Sequence, residues 1–278
     1  MTEPVTPRAA ATLMLVRDGA DGVELFMVVR HHEIEFASGA LVFPGGSVNP
    51  SDFDPRWRSL AEGADEVSDE MLGLMAAAAR EAFEECGVLF ARTTHGGPLI
   101  DGARVKALGS AYRQAIEKGT LGFADMIERE GLVAALDQLV PFAHWITPPH
   151  MPKRFDTYFF LAEAPVDHIL RHDGRESVDS VWLTPARARD DAEANRRTVL
   201  FPTLLNLEKV GRHQTVTEAI AAARSAKVVT VRPEPRATEE GRILRIPVAA
   251  GYGAGEFLII GDPGKNARIF RLDADSEA

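Results

Sequence analysis

From Met71 to Phe90 the chain carries five alanines and no proline, with Gly87 near the end. That composition predicts a helix and supplies its end with a residue able to turn left-handed. Ser68 or Asp69 is suited to cap its start. Within this stretch Glu81, Glu84 and Glu85 are spaced three and four apart, so a helix projects all three carboxylates from about one turn. Carboxylates this close repel and raise one another's pKa unless a cation sits among them, and the cation they suit is a hard divalent ion, Mg²⁺ or Mn²⁺. The ordinary reading of an acidic triplet is a solvated helix face, here with Arg80 and Glu84 as an i, i+4 pair. Context argues for more. A short apolar run, Leu41 to Phe43, lies upstream and ends in Pro44, Gly45 and Gly46, where the chain must turn and its backbone can approach a ligand.

The remaining pattern predicts an α/β fold. Apolar stretches 9–16 and 23–29 flank a turn at 18–22 and read as a hairpin. Residues 47–70 are polar and acidic, with prolines at 50 and 55, and read as an inserted loop with little regular structure. Helical patterns follow at 102–118, 123–129, 132–139, 185–196, 202–210 and 216–225. Strands are expected at 142–147, 155–162 and 180–183. Beyond Ala226 short strands at 228–231, 242–246, 256–260 and 268–272 are separated by proline and glycine. The chain therefore divides into a domain over 9–225 and a short β-rich extension over 226–278, which forms an appendage or adds strands to the main sheet.

Charge and composition exclude several classes. A net charge of -10 disfavours a general binder of nucleic acid or anionic membrane, which needs a basic surface. A hydrophobic share of 45% and a charged share of 26% are those of a folded globular chain. The single cysteine, Cys86, excludes an internal disulfide framework and reads as a packing residue. No apolar run is long enough for a membrane span, the first residues lack a signal-peptide layout, and the last four are no peroxisomal address. A cytoplasmic protein, monomer or homodimer, is expected.

Arg80-Glu81-Ala82-Phe83-Glu84-Glu85-Cys86-Gly87-Val88 resembles the second half of the Nudix box, and Gly46 resembles its opening glycine. The resemblance implies an α/β/α sandwich with a mixed sheet and metal-dependent hydrolysis of a nucleoside diphosphate linked to another group. Glu81 and Glu85 are implied as the first metal ligands and Glu84 as the next, with Arg80 orienting the carboxylates. Gly46 and Arg80 stand 34 positions apart, an insertion of about 20 residues relative to that pattern. Counted back from Arg80, the box's earlier glutamate falls at Leu72, for which Glu70 is the available substitute.

Phe43-Pro44-Gly45-Gly46, the acidic insertion, Trp145-Ile146-Thr147-Pro148 and Arg154-Phe155-Asp156-Thr157 are similar to the Nudix branch that includes peroxisomal coenzyme A diphosphatases. Coenzyme A or an acyl-CoA is accordingly the leading substrate. Against it, His31 stands at a small position of the coenzyme A motif and Glu35 replaces its second arginine, a charge reversal that opposes anion binding. Hydrolysis of ADP-ribose, NADH or a related dinucleotide is an alternative, as is a non-catalytic nucleotide-binding module. Substrate contacts are expected from Gly45, Gly46, Arg30 and Arg154, the two arginines as phosphate partners. Glu176, in a later loop, is a further candidate base beside Glu81, Glu84 and Glu85. His144 and Trp145 read as core.

Overall fold

A hairpin that comes apart sets the frame. In the computed structural model, which describes residues 5–30, 39–168, 177–261 and 267–272, strands β1 (Arg8–Gly19) and β2 (Gly22–Arg30) pair antiparallel only between Val16–Gly19 and Gly22–Leu25. Beyond Leu25 they diverge. β3 (Ala40–Val42) pairs with the far end of β2, and β4 (Gly45–Ser47) pairs with β1 at Ala10–Thr12. The Phe43–Pro44 turn lies in this fork, where the Pro44 carbonyl accepts the Leu13 N–H at 2.8 Å.

The polar insertion comes next and differs from the expected irregular loop. It contains 3₁₀ turns at Pro50–Phe53 and Ala64–Glu66 and a one-turn helix, α1 (Trp57–Leu60). Trp57 is buried against the ring of Phe123, centroid to centroid 5.7 Å. Several of the insertion's acids are spent on ties. Arg56 bridges Asp54 to Asp125 at 2.6 and 2.7 Å, and Arg92 joins Glu62 to Asp137. One buried aromatic anchor and several ion pairs offset the chain entropy of ordering such a loop.

Helix α2 (Asp69–Cys86) follows as expected. The Ser68 side chain caps it by accepting the Met71 N–H, and Gly87, at φ 69°, closes it. Gly87 and Val88 donate to the carbonyls of Phe83 and Ala82 in a left-handed cap. The chain continues through β5 (Ala91–Arg92), α3 (Gly102–Glu117), α4 (Phe123–Arg129), β6 (Val133–Ala134), β7 (Val140–Ile146) and β8 (Phe155–Glu163). The helix expected at 132–139 is instead β6, paired with β5, and a 3₁₀ turn at Leu136–Gln138. Leu132, Ala134, Ala135, Leu136 and Leu139 are all buried, so their apolar pattern records enclosure on every side, which periodicity cannot tell from a helix.

After β9 (Ser177–Leu183) come α5 (Pro185–Glu193), β10 (Thr198–Val199), α6 (Phe201–Val210), α7 (Val216–Ser225) and β11 (Thr230–Val231). The main sheet runs β10-β3-β2-β1-β8-β7-β11, with β4 also on β1 and β9 also on β2. It is mixed: β1 and β8, β3 and β10, and β7 and β11 run parallel. Side chains alternate between two cores. Leu13, Leu15, Phe26 and Phe160 face α2, α3 and α4, whereas Met14, Val16, Met27 and Leu161 face α6 and α7, the period of two that a sheet covered on both faces requires.

Strands β12 (Glu234–Ala237), β13 (Arg242–Arg245), β14 (Glu256–Ile260) and β15 (Arg268–Leu272) form a separate antiparallel sheet. Tyr252, Phe257 and Ile259 bury into the α6 side of the main core. Trp145 donates to Tyr252 at 2.9 Å, and Tyr252 donates to Asn206 at 2.7 Å. The extension therefore does both things the sequence allows, adding β11 to the main sheet and folding the rest into its own. Among the described residues no helix is long and apolar enough to cross a membrane.

Candidate active site

Five alanines make α2 thin on the side that meets the sheet. Ala76 to Ala79 and Ala82 are buried, which lets the helix axis approach β4 closely. The approach is tight at Gly46: a Cβ there would lie 2.5 Å from Glu81 Oε1. One residue earlier, the Gly45 N–H donates to Glu85 Oε2 at 3.1 Å. The two parts of the sequence pattern, the glycine turn and the acid turn, are thus in direct contact through backbone and carboxylate.

Arg80 organises the acids. Its Nε and Nη2 donate to the two oxygens of Asp52 at 2.8 and 2.9 Å, a fork that fixes the guanidinium plane. Its Nη1 donates to Glu81 at 2.9 Å and Glu84 at 3.1 Å, and its Nη2 also reaches the Ser47 carbonyl at 3.0 Å. The Arg80 and Asp52 side chains are 4% and 1% exposed. Burial alone would lower the Arg80 pKa, but the Asp52 hydrogen bonds and the charges of Glu81 and Glu84 outweigh it and hold the guanidinium firmly charged. A second arginine, Arg113 of α3, donates through Nε to the Glu84 carbonyl at the end of the helix.

One cation does not balance these acids. Burial pushes the Glu81 carboxyl up to about 7, with Arg80 opposing and Glu84 adding to the rise. Burial likewise raises Glu84, again against Arg80. Desolvated carboxylates with uncompensated charge are the donor set that a hard cation relieves. Among the described residues no group of three or more His, Cys, Asp or Glu side chains closes into a cage.

Asp52 is the residue that reading the sequence missed. Leu72, reached by counting back from Arg80, is buried in the core, and Glu70 is exposed on the first turn of α2. Counting forward from Gly46 by the same pattern lands six residues on, at Asp52. Its carboxylate accepts the Asn49 N–H at 2.8 Å within the 3₁₀ turn and presents both oxygens to Arg80. The extra residues therefore lie between Asp52 and Arg80, and the acid that orients the arginine is kept.

Arg154 is buried, and its guanidinium donates to the carbonyls of Thr147 at 3.1 Å and Val5 at 2.5 Å. Arg30 ends β2, where the pairing with Ser177 shifts register. Glu176, His31 and Glu35 lie outside the described residues. Cys86 and Trp145 are buried, and buried His144 bridges Thr230 at 2.8 Å and Asp156 at 2.5 Å across three strands.

Comparison with known proteins identifies the family. A crystal structure of a NUDIX hydrolase from Alicyclobacillus acidocaldarius superposes with a TM-score of 0.63 and 25% identity, covering 78% of this chain and 96% of that one. The acyl-coenzyme A diphosphatase NUDT19 of Xenopus laevis is 22% identical over 235 residues, covering 70% of this chain and 61% of that protein. Putative nudix hydrolase 7 of Caenorhabditis elegans is 27% identical over 209 residues, covering 74% and 61%. The chain thus spans about three fifths of the length of these curated relatives. The model of the NUDT19 Nudix domain matches residues 62–210, more than half of the chain and all of the acid turn: the chain belongs to the NUDT19 Nudix domain family.

Proposed function

We propose that this protein is a Mg²⁺- or Mn²⁺-dependent hydrolase of a nucleoside diphosphate linked to another group, with coenzyme A or an acyl-CoA as its substrate. The observation that carries the reading is the contact of the glycine turn with the acid turn, Glu81 over Gly46 and Glu85 on the Gly45 N–H. The name borne by the Xenopus laevis relative supports the choice of substrate.

In this reading Glu81, Glu84 and Glu85 hold the ion. The ion supplies positive charge to the diphosphate oxygens and lowers the pKa of water beside it. The protein's part is positional. Arg80, fixed by Asp52, keeps the Glu81 and Glu84 carboxylates in place, and the Gly45 N–H keeps Glu85 in place. One of Glu81, Glu84, Glu85 or Glu176 takes the proton released by the attacking water. Phosphate contacts come from Gly45 and Gly46 at the turn and from Arg30. Arg154 supports the strand ends from the backbone carbonyls it already bonds.

Incubation of the purified protein with coenzyme A tests this, with Mg²⁺, with Mn²⁺ and with chelator, and with product identification. The expected products are 3′,5′-ADP and 4′-phosphopantetheine, formed only with metal. Hydrolysis of ADP-ribose or NADH in preference would replace the substrate assignment, and nucleotide binding without turnover of any diphosphate would replace the enzyme by a binding module.

A further inference from the structure

A cavity of about 620 Å³ opens between α5, β10 and the ends of β2 and β3, and its charge is the reverse of the acid turn's. Val29, Gly39 and Leu41 line it together with Asp179, the cross-strand partner of Val29, and so do Arg187, Arg196, Arg197 and Asp191. Arg196 and Arg197 join Arg187 because the chain reverses at Asn195, which, alone among the described non-glycine residues, has a positive φ (56°). The reversal brings the Arg196 and Arg197 N–H groups onto the Asp191 carbonyl at 2.8 and 3.1 Å.

Buried Asp191 is the hub. Its Oδ1 is 3.2 Å from Arg187 Nε and 2.7 Å from Arg196 Nη2, and its Oδ2 is 3.5 Å from Arg197 Nε. With Asp179 counted as well, the cavity lining sets two carboxylates against three guanidiniums, one positive charge in excess. Each arginine meets Asp191 through part of its fork and keeps further N–H groups for another acceptor. In a chain of net charge -10, an excess of arginines around a cavity is a local departure from the overall field, and planar guanidinium donors match phosphate oxygens best.

The cavity is near the candidate active site through a continuous piece of backbone. Leu41 on its wall is four residues from Gly45, whose N–H holds Glu85, so the two are at most about 13 Å apart along an extended chain. We propose that this cavity binds a phosphomonoester, the terminal phosphate of the same nucleotide whose diphosphate meets the acid turn. The assignment to one substrate rests on the function proposed above; the anion site itself does not.

Two experiments on the full chain separate these parts. In chelator, titration calorimetry compares adenosine 3′,5′-bisphosphate with adenosine 5′-monophosphate. The bisphosphate is expected to bind about tenfold more tightly, the gain from one charge-assisted phosphate contact, and the preference is expected to fall to within about twofold in Arg187→Gln/Arg197→Gln, which leaves Arg196 to pair Asp191. If that variant does not fold, the exposed single change Arg187→Gln serves, with a partial loss expected. Equal binding of the two nucleotides by the unaltered protein, or a preference that survives the substitutions, overturns the site. With metal, KM for coenzyme A is compared with KM for its 3′-dephospho form. A lower KM for coenzyme A that depends on these arginines places both sites on one substrate. A binding preference without turnover of either compound removes the proposed reaction and leaves the anion site standing.

Discussion

The acid turn of α2 and the cavity beside α5 solve the same electrostatic problem with opposite remainders. At the acid turn one guanidinium, Arg80, is bonded to Asp52, Glu81 and Glu84, while Glu85 rests on a backbone N–H. At the cavity one carboxylate, Asp191, serves three guanidiniums. On the readings proposed above, the first is completed by a cation and the second by an anion. On the proposed function, a metal-bound diphosphate that carries a further phosphate would satisfy both, and an acidic protein could act on a small polyanion in this way. The burial of the two hubs also differs. Arg80 and Asp52 are both sealed, whereas Asp191 is buried among arginines that are 60%, 51% and 27% exposed.

The largest effect is expected where the remainder is negative. Glu85→Gln removes one charged donor while keeping its shape and a carbonyl oxygen for the Gly45 N–H. Charge stabilisation by a bound ion is worth several kcal/mol, so kcat is expected to fall by about 10³-fold while the metal-free protein still folds and melts cooperatively. Steady-state kinetics and a thermal melt on the same preparation check both halves, and a variant that keeps near-normal kcat removes Glu85 from the metal site.

The hubs come next. Asp52→Asn leaves Arg80 without its forked partner in a sealed site, and breaking a buried pair from one side costs about 3 kcal/mol or more. Urea unfolding is expected to show that loss, together with lower kcat as Arg80 ceases to hold Glu81 and Glu84. Asp191→Asn is the matching change at the cavity. Its arginines reach solvent, so the expected cost is about 1 kcal/mol, while phosphate binding strengthens or holds because the competing acid is gone. Equal costs at the two sites would mean that burial does not govern the difference.

The sequence made the acid turn easy to find and its support hard to find. Helix α2 is announced by Ser68, the alanines and Gly87, all local signals, and Glu81, Glu84 and Glu85 follow from its period. Asp52 was hidden because the pattern was counted from Arg80 across an insertion, although Asn49-Pro50-Ser51-Asp52 carries the signature of a capped turn that holds its own acid in place. The arginine cavity was hidden more thoroughly. Arg187 and Asp191 read as an ordinary helix-surface pair, and only the backbone reversal at Asn195 brings Arg196 and Arg197 to the same carboxylate. A tertiary turn of that kind has no period to detect. The same limit explains residues 132–139, where burial from all sides imitated a helix.

The last expected effect, read as a change with pH, isolates the uncompensated charge itself. Glu81 has a folded pKa of about 7 against an ordinary value of 4.5, raised first by burial. Between these values the folded chain keeps a proton that the unfolded chain has released, so this group's contribution to stability falls as pH rises from about 4.5 to about 7 and is flat above. Metal-free protein is therefore expected to melt a few degrees lower at pH 8 than at pH 5 on account of this residue. Glu81→Gln, which cannot ionise, is expected to lack that part of the decline and to melt above the unaltered protein at pH 8 while being inactive. Added Mg²⁺ is expected to raise the melting temperature of the unaltered protein at pH 8 more than that of the variant. Parallel pH profiles for the two proteins in chelator would show that Arg80 already balances Glu81, and the contrast with the arginine cavity would then be one of geometry rather than of charge.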